Sequence, residues 1–200
     1  GASVSRGFQY TYDLLDANDD GFHGSVEGPD GETTQYVLDA HGRVSAIVRD
    51  DLAQTIEYDA AGRVVRTVRY VGGLSATETI NTFDAAGRLT AIEERVVGAA
   101  QPFLRTEFEW RADNVVVERR ELSDYDAQGQ PQDVAVVTYE YDARQQLRAE
   151  YRTENQADVY YVSYTYDQLG NRLTRSDVLT GWVTWYTYDV TDPDPAPYST

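Results

Sequence analysis

Residues 58–70 read Tyr-Asp-Ala-Ala-Gly-Arg-Val-Val-Arg-Thr-Val-Arg-Tyr, and they contain the signals that set the architecture of the chain. An aromatic residue is followed directly by an aspartate, and a glycine comes three residues after the aspartate. An aspartate side chain can accept hydrogen bonds from backbone N–H groups two residues on, and glycine adopts a positive φ without strain. The valine and threonine residues that come next favour a strand. The stretch therefore predicts the end of one strand, a tight turn and the start of the next strand.

The same pattern recurs along the chain at a loose period near 25 residues. The aromatic residues that start each unit are Tyr12, Tyr36, Tyr58, Phe83, Trp110, Tyr141, Tyr166 and Tyr188. The longest unit also contains a second start, Tyr125-Asp126, which leaves the register of that unit open. A single pair of strands cannot bury its own face, so neighbouring units are expected to pair laterally.

Polar and apolar residues alternate before each aspartate, as in Tyr164-Thr165-Tyr166, and this spacing puts both aromatic rings on one face of a strand. No segment shows a helical period. We therefore predict an all-β fold, an antiparallel meander of β-hairpin repeats with about fourteen strands. The meander is expected to curl into an open half-barrel or a small barrel. Residues 1–190 are predicted to form one domain, and the proline-rich residues 191–200 an extended tail.

The repeated motif resembles the YD-repeat, or Rhs-repeat, family. The best matches are Tyr58–Val65, Phe83–Thr90 and Tyr166–Thr174, and the resemblance covers roughly residues 8 to 190. It implies β-hairpins wound into a sheet, a secreted or cell-surface setting, and binding of carbohydrate or protein. The chain departs from large members of the family. Seven units are too few to close a large shell, and the family's C-terminal core motif does not occur in residues 1–200, so encapsulation of a toxin is not expected of these repeats.

Composition and charge exclude several classes of function. The chain has 200 residues, no cysteine and a formal net charge of −17, so disulfides and zinc–thiolate sites are ruled out. The acidic surface argues against nucleic-acid binding, and no apolar stretch is long enough to span a membrane. The charge instead favours cations or a basic partner protein. Because the sequence begins with Gly1 and not methionine, a removed leader is one expectation.

Residues 16–27 match a twelve-position calcium loop. Calcium prefers six to eight oxygen ligands, and the turn at a central glycine points alternate side chains inward. The predicted ligands are the side chains of Asp16, Asn18, Asp20 and Glu27, and the backbone carbonyl of Phe22. The flanks favour strands and not helices, so a plain acidic loop stays as the alternative.

Three aromatic residues near the C-terminus, Tyr161, Trp182 and Trp185, are the candidate binding surface. Exposed aromatic faces stack on sugar rings and mark protein interfaces. The alternative is that these rings are buried in the ladder of the repeats. Arg43, Arg63 and Arg88, which come directly after the glycines, are predicted to pair with acids of a neighbouring repeat in a structural role.

These observations predict a non-enzymatic binding or structural module, either secreted, periplasmic or on the cell surface. Its expected partner is a protein or a polysaccharide, with calcium as the one expected cofactor. The alternative is an acidic antagonist or immunity-type protein that binds a basic partner. A glycosidase or lyase is a third class, because carboxylates are plentiful, but no pair of them is singled out.

Overall fold

The structure, a computed structural model, describes residues 9–13, 22–29 and 31–188. These residues form fifteen β-strands, and no helix occurs among them, so the all-β prediction is confirmed. The strands are β1 Gln9–Asp13, β2 Phe22–Glu27, β3 Thr33–Leu38, β4 Val44–Arg49, β5 Leu52–Tyr58, β6 Val64–Val71, β7 Leu74–Phe83, β8 Leu89–Val96, β9 Leu104–Trp110, β10 Val116–Tyr125, β11 Pro131–Tyr141, β12 Leu147–Glu154, β13 Ala157–Tyr166, β14 Arg172–Asp177 and β15 Val183–Trp185.

The strands succeed one another in a single antiparallel meander, from β1 to β15, without a crossover. This confirms the predicted order of hairpins. Among the described residues β1 and β15 do not pair with each other, so the sheet is open and the small-barrel alternative is not formed. Short turns suffice for connections of this kind because antiparallel neighbours need no crossover.

A β-bulge accompanies the repeat turns. Tyr58 pairs with Val64, but Glu57 pairs with Arg66, so Val65 is the extra residue. Register shifts also occur beside the turns that come after Leu38, Phe83, Tyr141 and Tyr166. Such bulges bend a strand and redirect its side chains. In the repeats they place the last residue of one strand directly beside the turn.

The chain packs as two compact units. The first comprises Gly1–Glu107 with Leu122–Gln132, and the second Phe108–Glu121 with Asp133–Thr200. In the first unit the described core contains the apolar side chains of Val68 and Ala91.

Glu78 is also buried in the first unit, with only 7% of its surface exposed. Two arginines on the neighbouring strands compensate its charge: Arg66 Nε lies 2.7 Å and Arg95 Nε 2.9 Å from its carboxylate oxygens. Burying a carboxylate is costly unless it is paired in this way. This cluster could not be recognised from the sequence, because the alternation around Glu78 is that of an ordinary half-buried strand.

The second unit has a core of small and β-branched side chains with one buried tyrosine. Val137 and Val162 are each 1% exposed, and Ala149 and Tyr164 are also buried. Tyr164 donates a hydrogen bond to Glu150 Oε1 at 2.7 Å. Burial, and secondarily this hydrogen bond, raise the pKa of Tyr164 to about 12.

The prediction of one domain over residues 1–190 stays a prediction, and the tail at residues 191–200 lies outside the described residues. Within the part of the chain that the structure describes, no helix is long and apolar enough to cross a membrane.

Candidate functional site

The repeat turn has the hydrogen bonds that its residue types predict. In the Asp59 turn, the N–H groups of Ala61 and Arg63 each donate to Asp59 Oδ1 at 2.9 Å. The N–H of Gly62 donates to the carbonyl of Asp59 at 3.0 Å, and Gly62 has a φ of 82°. The same bonds recur in the turns of Asp39 and Asp84.

The prediction that Arg43, Arg63 and Arg88 pair with acids of a neighbouring repeat is wrong. Each pairs with the aspartate of its own turn: Arg63 Nε donates to Asp59 Oδ2 at 2.7 Å. The reason is local. The turn reverses the chain direction, so the arginine, four residues after the aspartate, lies next to that aspartate. What reaches the neighbouring repeat is the face of the guanidinium, which lies 4.4 Å from the ring centre of Phe83.

Successive repeats therefore interlock through arginine. Arg43 lies over the ring of Tyr58 at 4.2 Å, and the Tyr58 hydroxyl donates to the carbonyl of Val44 at 2.7 Å. A Cβ placed on Gly62 would lie 3.6 Å from Arg43 Nη1. The arginine of one repeat thus covers both the aromatic ring and the glycine turn of the next. Cation–π contacts of this kind stabilise a fold modestly at exposed sites.

The carboxylates of these turns have lowered pKa values. Hydrogen bonds from the Arg43 side chain and backbone hold the pKa of Asp39 at about 2. The backbone and side chain of Arg63 lower the pKa of Asp59, and those of Arg88 lower that of Asp84. Because each cause lies within the turn itself, these carboxylates stabilise the fold and are not poised for proton transfer.

The turn of Asp142 departs from this arrangement. Gln146 stands where the turns of Asp39, Asp59 and Asp84 have arginine, and Gln145, with a φ of 63°, replaces the glycine. The N–H groups of Arg144 and Gln146 still donate to Asp142 Oδ1, at 2.8 and 2.9 Å. Over the described ranges no donor reaches Asp142 Oδ2. The amide of Gln146 extends toward the next turn, where a Cβ on Gly170 would lie 3.0 Å from its Nε2.

An open depression of about 410 Å³ lies between the Asp142 turn and the Asp167 turn. Its lining includes the polar side chains of Asp142, Arg144, Gln146, Arg148, Tyr166 and Asp167. Within 9–13, 22–29 and 31–188, no arginine lies over the Tyr166 ring, whose hydroxyl donates to the carbonyl of Leu147 at 2.8 Å. Gln146 and Tyr166, which line the depression, are the equivalents of the arginine and the aromatic ring that contact each other after the turns of Asp39 and Asp59. We call a turn complete when it has both the glycine and the arginine, as those of Asp39, Asp59 and Asp84 do.

Two arginines in this depression have no carboxylate partner among the described residues. Arg144 is exposed and donates through Nη1 to the carbonyl of Gln168 at 3.1 Å, while Arg148 is exposed on β12. Most other described arginines form ion pairs. Sequence reasoning missed this site, although the glutamine at the arginine position of the repeat is a signal that could have found it.

The three aromatic residues predicted to bind a partner differ in exposure. Trp182 and Trp185 are 78% and 76% exposed, so the structure does not bury them in a ladder of rings. Tyr161 is half-buried and packs edge-to-face on Tyr151, with ring centres 5.9 Å apart. The structure thus brings Tyr161 into contact with another tyrosine and leaves both tryptophans open on the β14–β15 hairpin.

Tyr161 and Trp185 nevertheless share one face of the sheet. Trp185 pairs with Thr174, which pairs with Thr165 on β13, four residues from Tyr161. Alternation along the strand puts residues 161 and 165 on the same face. The hydroxyls of Thr165 and Thr174 are 2.6 Å apart. This face therefore carries aromatic rings with hydroxyl groups between them.

The predicted calcium loop is mostly outside the described residues, since Asp16, Asn18 and Asp20 lie there. Phe22 and Glu27 are the first and last residues of β2. A strand rises about 3.4 Å per residue, which separates their backbones by about 17 Å. An ion held by Asp16, Asn18 and Asp20 could therefore use the Phe22 carbonyl or the Glu27 carboxylate, but not both. Among the described residues no group of three or more metal-binding side chains occurs.

Comparison with known proteins finds matches among solved structures alone. No family model matches it. No curated protein matches it either. Among solved structures, it is similar to the crystal structure of TcdB2-TccC3 without the hypervariable C-terminal region, at 17% identity and a TM-score of 0.48. A second match is the crystal structure of TcdB2-TccC3-Cdc42, at 17% identity and a TM-score of 0.46.

These matches cover 89% and 90% of this chain but only 11% of each solved chain. Likeness at this level carries no activity or partner over to this chain. The function of the chain must therefore be inferred from its own residues.

Proposed function

We propose that this chain is a non-enzymatic binding module of the YD-repeat type, acting in a secreted or cell-envelope setting. Its binding surface is the β14–β15 hairpin, and its partner is a polysaccharide or a protein of the cell surface. The observation that carries the proposal is the exposure of Trp182 and Trp185, each more than three-quarters open to solvent. Tryptophan is enriched at binding hot spots, and large exposed apolar patches mark interaction sites.

Neighbouring side chains extend this apolar surface. Val178, Leu179 and Val183 on the same hairpin are 50%, 51% and 43% exposed. β15 has only three residues and pairs with β14 through the register Thr174 to Trp185. The short β15 and the turn before it present tryptophan rings for stacking, beside the exposed Thr165, whose hydroxyl is hydrogen-bonded to that of the buried Thr174. This combination suits a sugar ring or a polar protein surface.

The non-enzymatic part of the proposal is supported by the roles of the perturbed acids. Asp39, Asp59 and Asp84 all have lowered pKa values, and each shift is caused by the N–H groups and the arginine of its own turn. A general acid would need a raised carboxyl pKa in a cleft. Among the described residues of the first unit, the buried carboxylate is that of Glu78, and two arginines hold it.

A glycan array and a panel of purified cell-surface proteins test the proposed surface. We expect binding to fall at least tenfold in Trp182→Ala and in Trp185→Ala, since truncating a hot-spot residue costs about 2 kcal/mol or more. Leu169→Ala is the matched control, because Leu169 is 88% exposed on another turn of the same unit. Equal binding by the tryptophan variants and the wild type would contradict the proposed surface, as would the absence of any bound glycan or protein.

The alternative function, an acidic antagonist of a basic partner, is favoured by the net charge of −17. Its signature is a steep loss of affinity with rising salt, since exposed charges are screened within about 8 Å at physiological ionic strength. Binding to a basic protein that is salt-sensitive and unaffected by both tryptophan substitutions would favour this alternative.

Calcium binding at residues 16–27 is a separate part of the proposal. The supporting observation is the spacing of Asp16, Asn18 and Asp20 before Gly21. Calorimetric titration of calcium into chelator-treated protein should show one saturable site that Asp20→Ala abolishes. Glu27→Gln separates the two ligand sets: unchanged affinity assigns the Phe22 carbonyl, and loss assigns Glu27. A flat titration of the wild type would contradict the site.

A further inference from the structure

The depression at the Asp142 turn lies where the turns of Asp39 and Asp59 place an arginine. Arg43 and Arg63 lie 4.2 and 4.4 Å above the aromatic rings of the next repeats. In the Asp142 repeat the corresponding residue is Gln146, which is shorter and uncharged. The ring of Tyr166 and the Oδ2 atom of Asp142 are therefore left without the guanidinium that covers their equivalents, and about 410 Å³ is open beside them.

The lining of this depression contains two carboxylates, of Asp142 and Asp167, and two guanidinium groups, of Arg144 and Arg148, so its formal charges balance. The charged groups with free hydrogen-bond donors are the two arginines. Asp167 is engaged: Oδ1 accepts from the N–H groups of Leu169 and Asn171, and Oδ2 accepts from the Asn171 amide. Arg144 uses one of its five N–H donors on a carbonyl, and Arg148 has no carboxylate within 4.0 Å among the described residues. Both guanidinium groups therefore keep donors free for a carboxylate of a ligand.

We infer that this depression binds an anionic sugar residue, a hexuronate of an acidic polysaccharide. The ring of the sugar lies on the face of Tyr166, and its carboxylate is held by Arg144 and Arg148. Arginine suits this role because its planar guanidinium matches a carboxylate with two parallel hydrogen bonds. Asp142 Oδ2 and the Gln146 amide supply an acceptor and a donor for sugar hydroxyls. The volume is in the range of small-ligand sites.

The site is distinct from the tryptophans of the β14–β15 hairpin. The two proposals therefore fail separately, because Trp182→Ala and Trp185→Ala leave the lining of the depression intact, while substitutions at Arg144 and Arg148 leave the hairpin intact.

The test is a calorimetric titration of the full chain with trigalacturonate, its methyl ester and inorganic phosphate. Trigalacturonate is expected to bind at one site. The methyl ester keeps the rings but removes the negative charges, and it should bind at least tenfold more weakly, since a hydrogen bond between charged groups contributes that much. Phosphate lacks a ring to place on Tyr166 and should also bind at least tenfold more weakly.

Arg148→Gln and Arg144→Gln should each weaken trigalacturonate binding about tenfold or more. Arg69→Gln is the matched control, because Arg69 is likewise exposed and lies on β6 of the other unit. It should bind within twofold of the wild type. Thermal unfolding of each variant shows that the fold is retained, which is expected for exposed side chains.

Several results would overturn the inference. Absence of trigalacturonate binding refutes the site. Equal binding of the methyl ester refutes the role of the two arginines, and equal binding of phosphate refutes the role of the ring. Equal losses in Arg69→Gln and Arg148→Gln would show a general charge effect and not a site in the depression.

Discussion

The turns of Asp59 and Asp142 share the same backbone hydrogen bonds but differ in their side-chain contacts. In both, the aspartate Oδ1 accepts two backbone N–H groups at 2.8 to 2.9 Å. In the first, Arg63 then bonds Asp59 and covers the next aromatic ring, whereas in the second Gln146 does neither. The aspartate therefore makes the turn, while the arginine closes the space between repeats. Where glutamine stands in place of this arginine, an open depression lies beside the next aromatic ring.

The largest effect is expected for Gly87→Ala in a complete turn. Gly87 has a φ of 84°, and an added Cβ would lie 3.2 Å from Arg63 Nη1. We expect a loss of about 1–2 kcal/mol in the free energy of unfolding, because side chains disfavour this backbone region. Urea denaturation measures it. Gln145→Ala in the incomplete turn is the control, since Gln145 already carries a Cβ at a φ of 63°. Equal losses of stability in Gly87→Ala and Gln145→Ala would mean that the two turns do not differ in their tolerance of a side chain at the positive-φ position.

The second prediction concerns acid. The hydrogen bonds of Arg43 hold the pKa of Asp39 at about 2, below its usual value of 3.8. A carboxyl whose pKa is lower in the folded state stabilises the fold fully above the unfolded value and loses that contribution as the pH falls through about 2. We therefore expect stability to decline from about pH 4 to pH 2.

Urea midpoints measured between pH 5 and pH 2 check this. Asp39→Asn should be less stable than the wild type at pH 5 and should decline less over the same range. Parallel declines of the two proteins would show that Asp39 does not contribute to the acid sensitivity.

Gln146→Arg tests the difference between the two turns by restoring the missing residue. The new guanidinium should cover Tyr166 and raise the free energy of unfolding by about 0.5–1 kcal/mol, the range of an exposed cation–π contact. Thermal unfolding measures the gain. The reciprocal change, Arg63→Gln, removes the contact with Phe83 and should lower the unfolding temperature. If neither substitution changes the unfolding temperature, the arginine is not what couples the repeats.

The smallest effect is expected for Gln145→Gly. Glycine takes the positive φ of this position without strain, but it also loses more conformational entropy on folding. The two contributions partly cancel, so the expected gain is a few tenths of a kcal/mol, measurable as a shift in the urea midpoint. A loss of stability would contradict the view that Gln145 occupies the glycine position under strain.

The local features of the fold could be predicted from the sequence because each is encoded within a few residues. The Asp-x-x-Gly pattern predicts the turn, and the hydrogen bonds of Asp59 confirm it. The alternation before each aspartate predicts the strands. The meander results because each unit must pair with its neighbours. The turn of Trp110 is harder to recognise, since Arg111 takes the place of the aspartate and Asn114, with a φ of 65°, that of the glycine.

Contacts between repeats could not be predicted in the same way. The sequence pattern predicts that Arg63 meets an acid of the next repeat, but the turn places its own Asp59 nearer and leaves the Phe83 ring as the neighbour. The exposure of Trp182 depends on which side chains pack near it in the folded chain, and its spacing alone is compatible with burial. The depression at Gln146 depends on how closely two successive turns approach each other, which the residues of either turn do not specify alone.

The most direct measurement of the role of the missing arginine is the titration of trigalacturonate into the wild type and into Gln146→Arg. Restoring the arginine fills the space above Tyr166. We therefore predict saturable binding to the wild type and at least a tenfold loss in the variant, together with a higher unfolding temperature. Undiminished trigalacturonate binding to a more stable Gln146→Arg variant would be the contrary result. The new arginine would then stabilise the contact between repeats without blocking the depression.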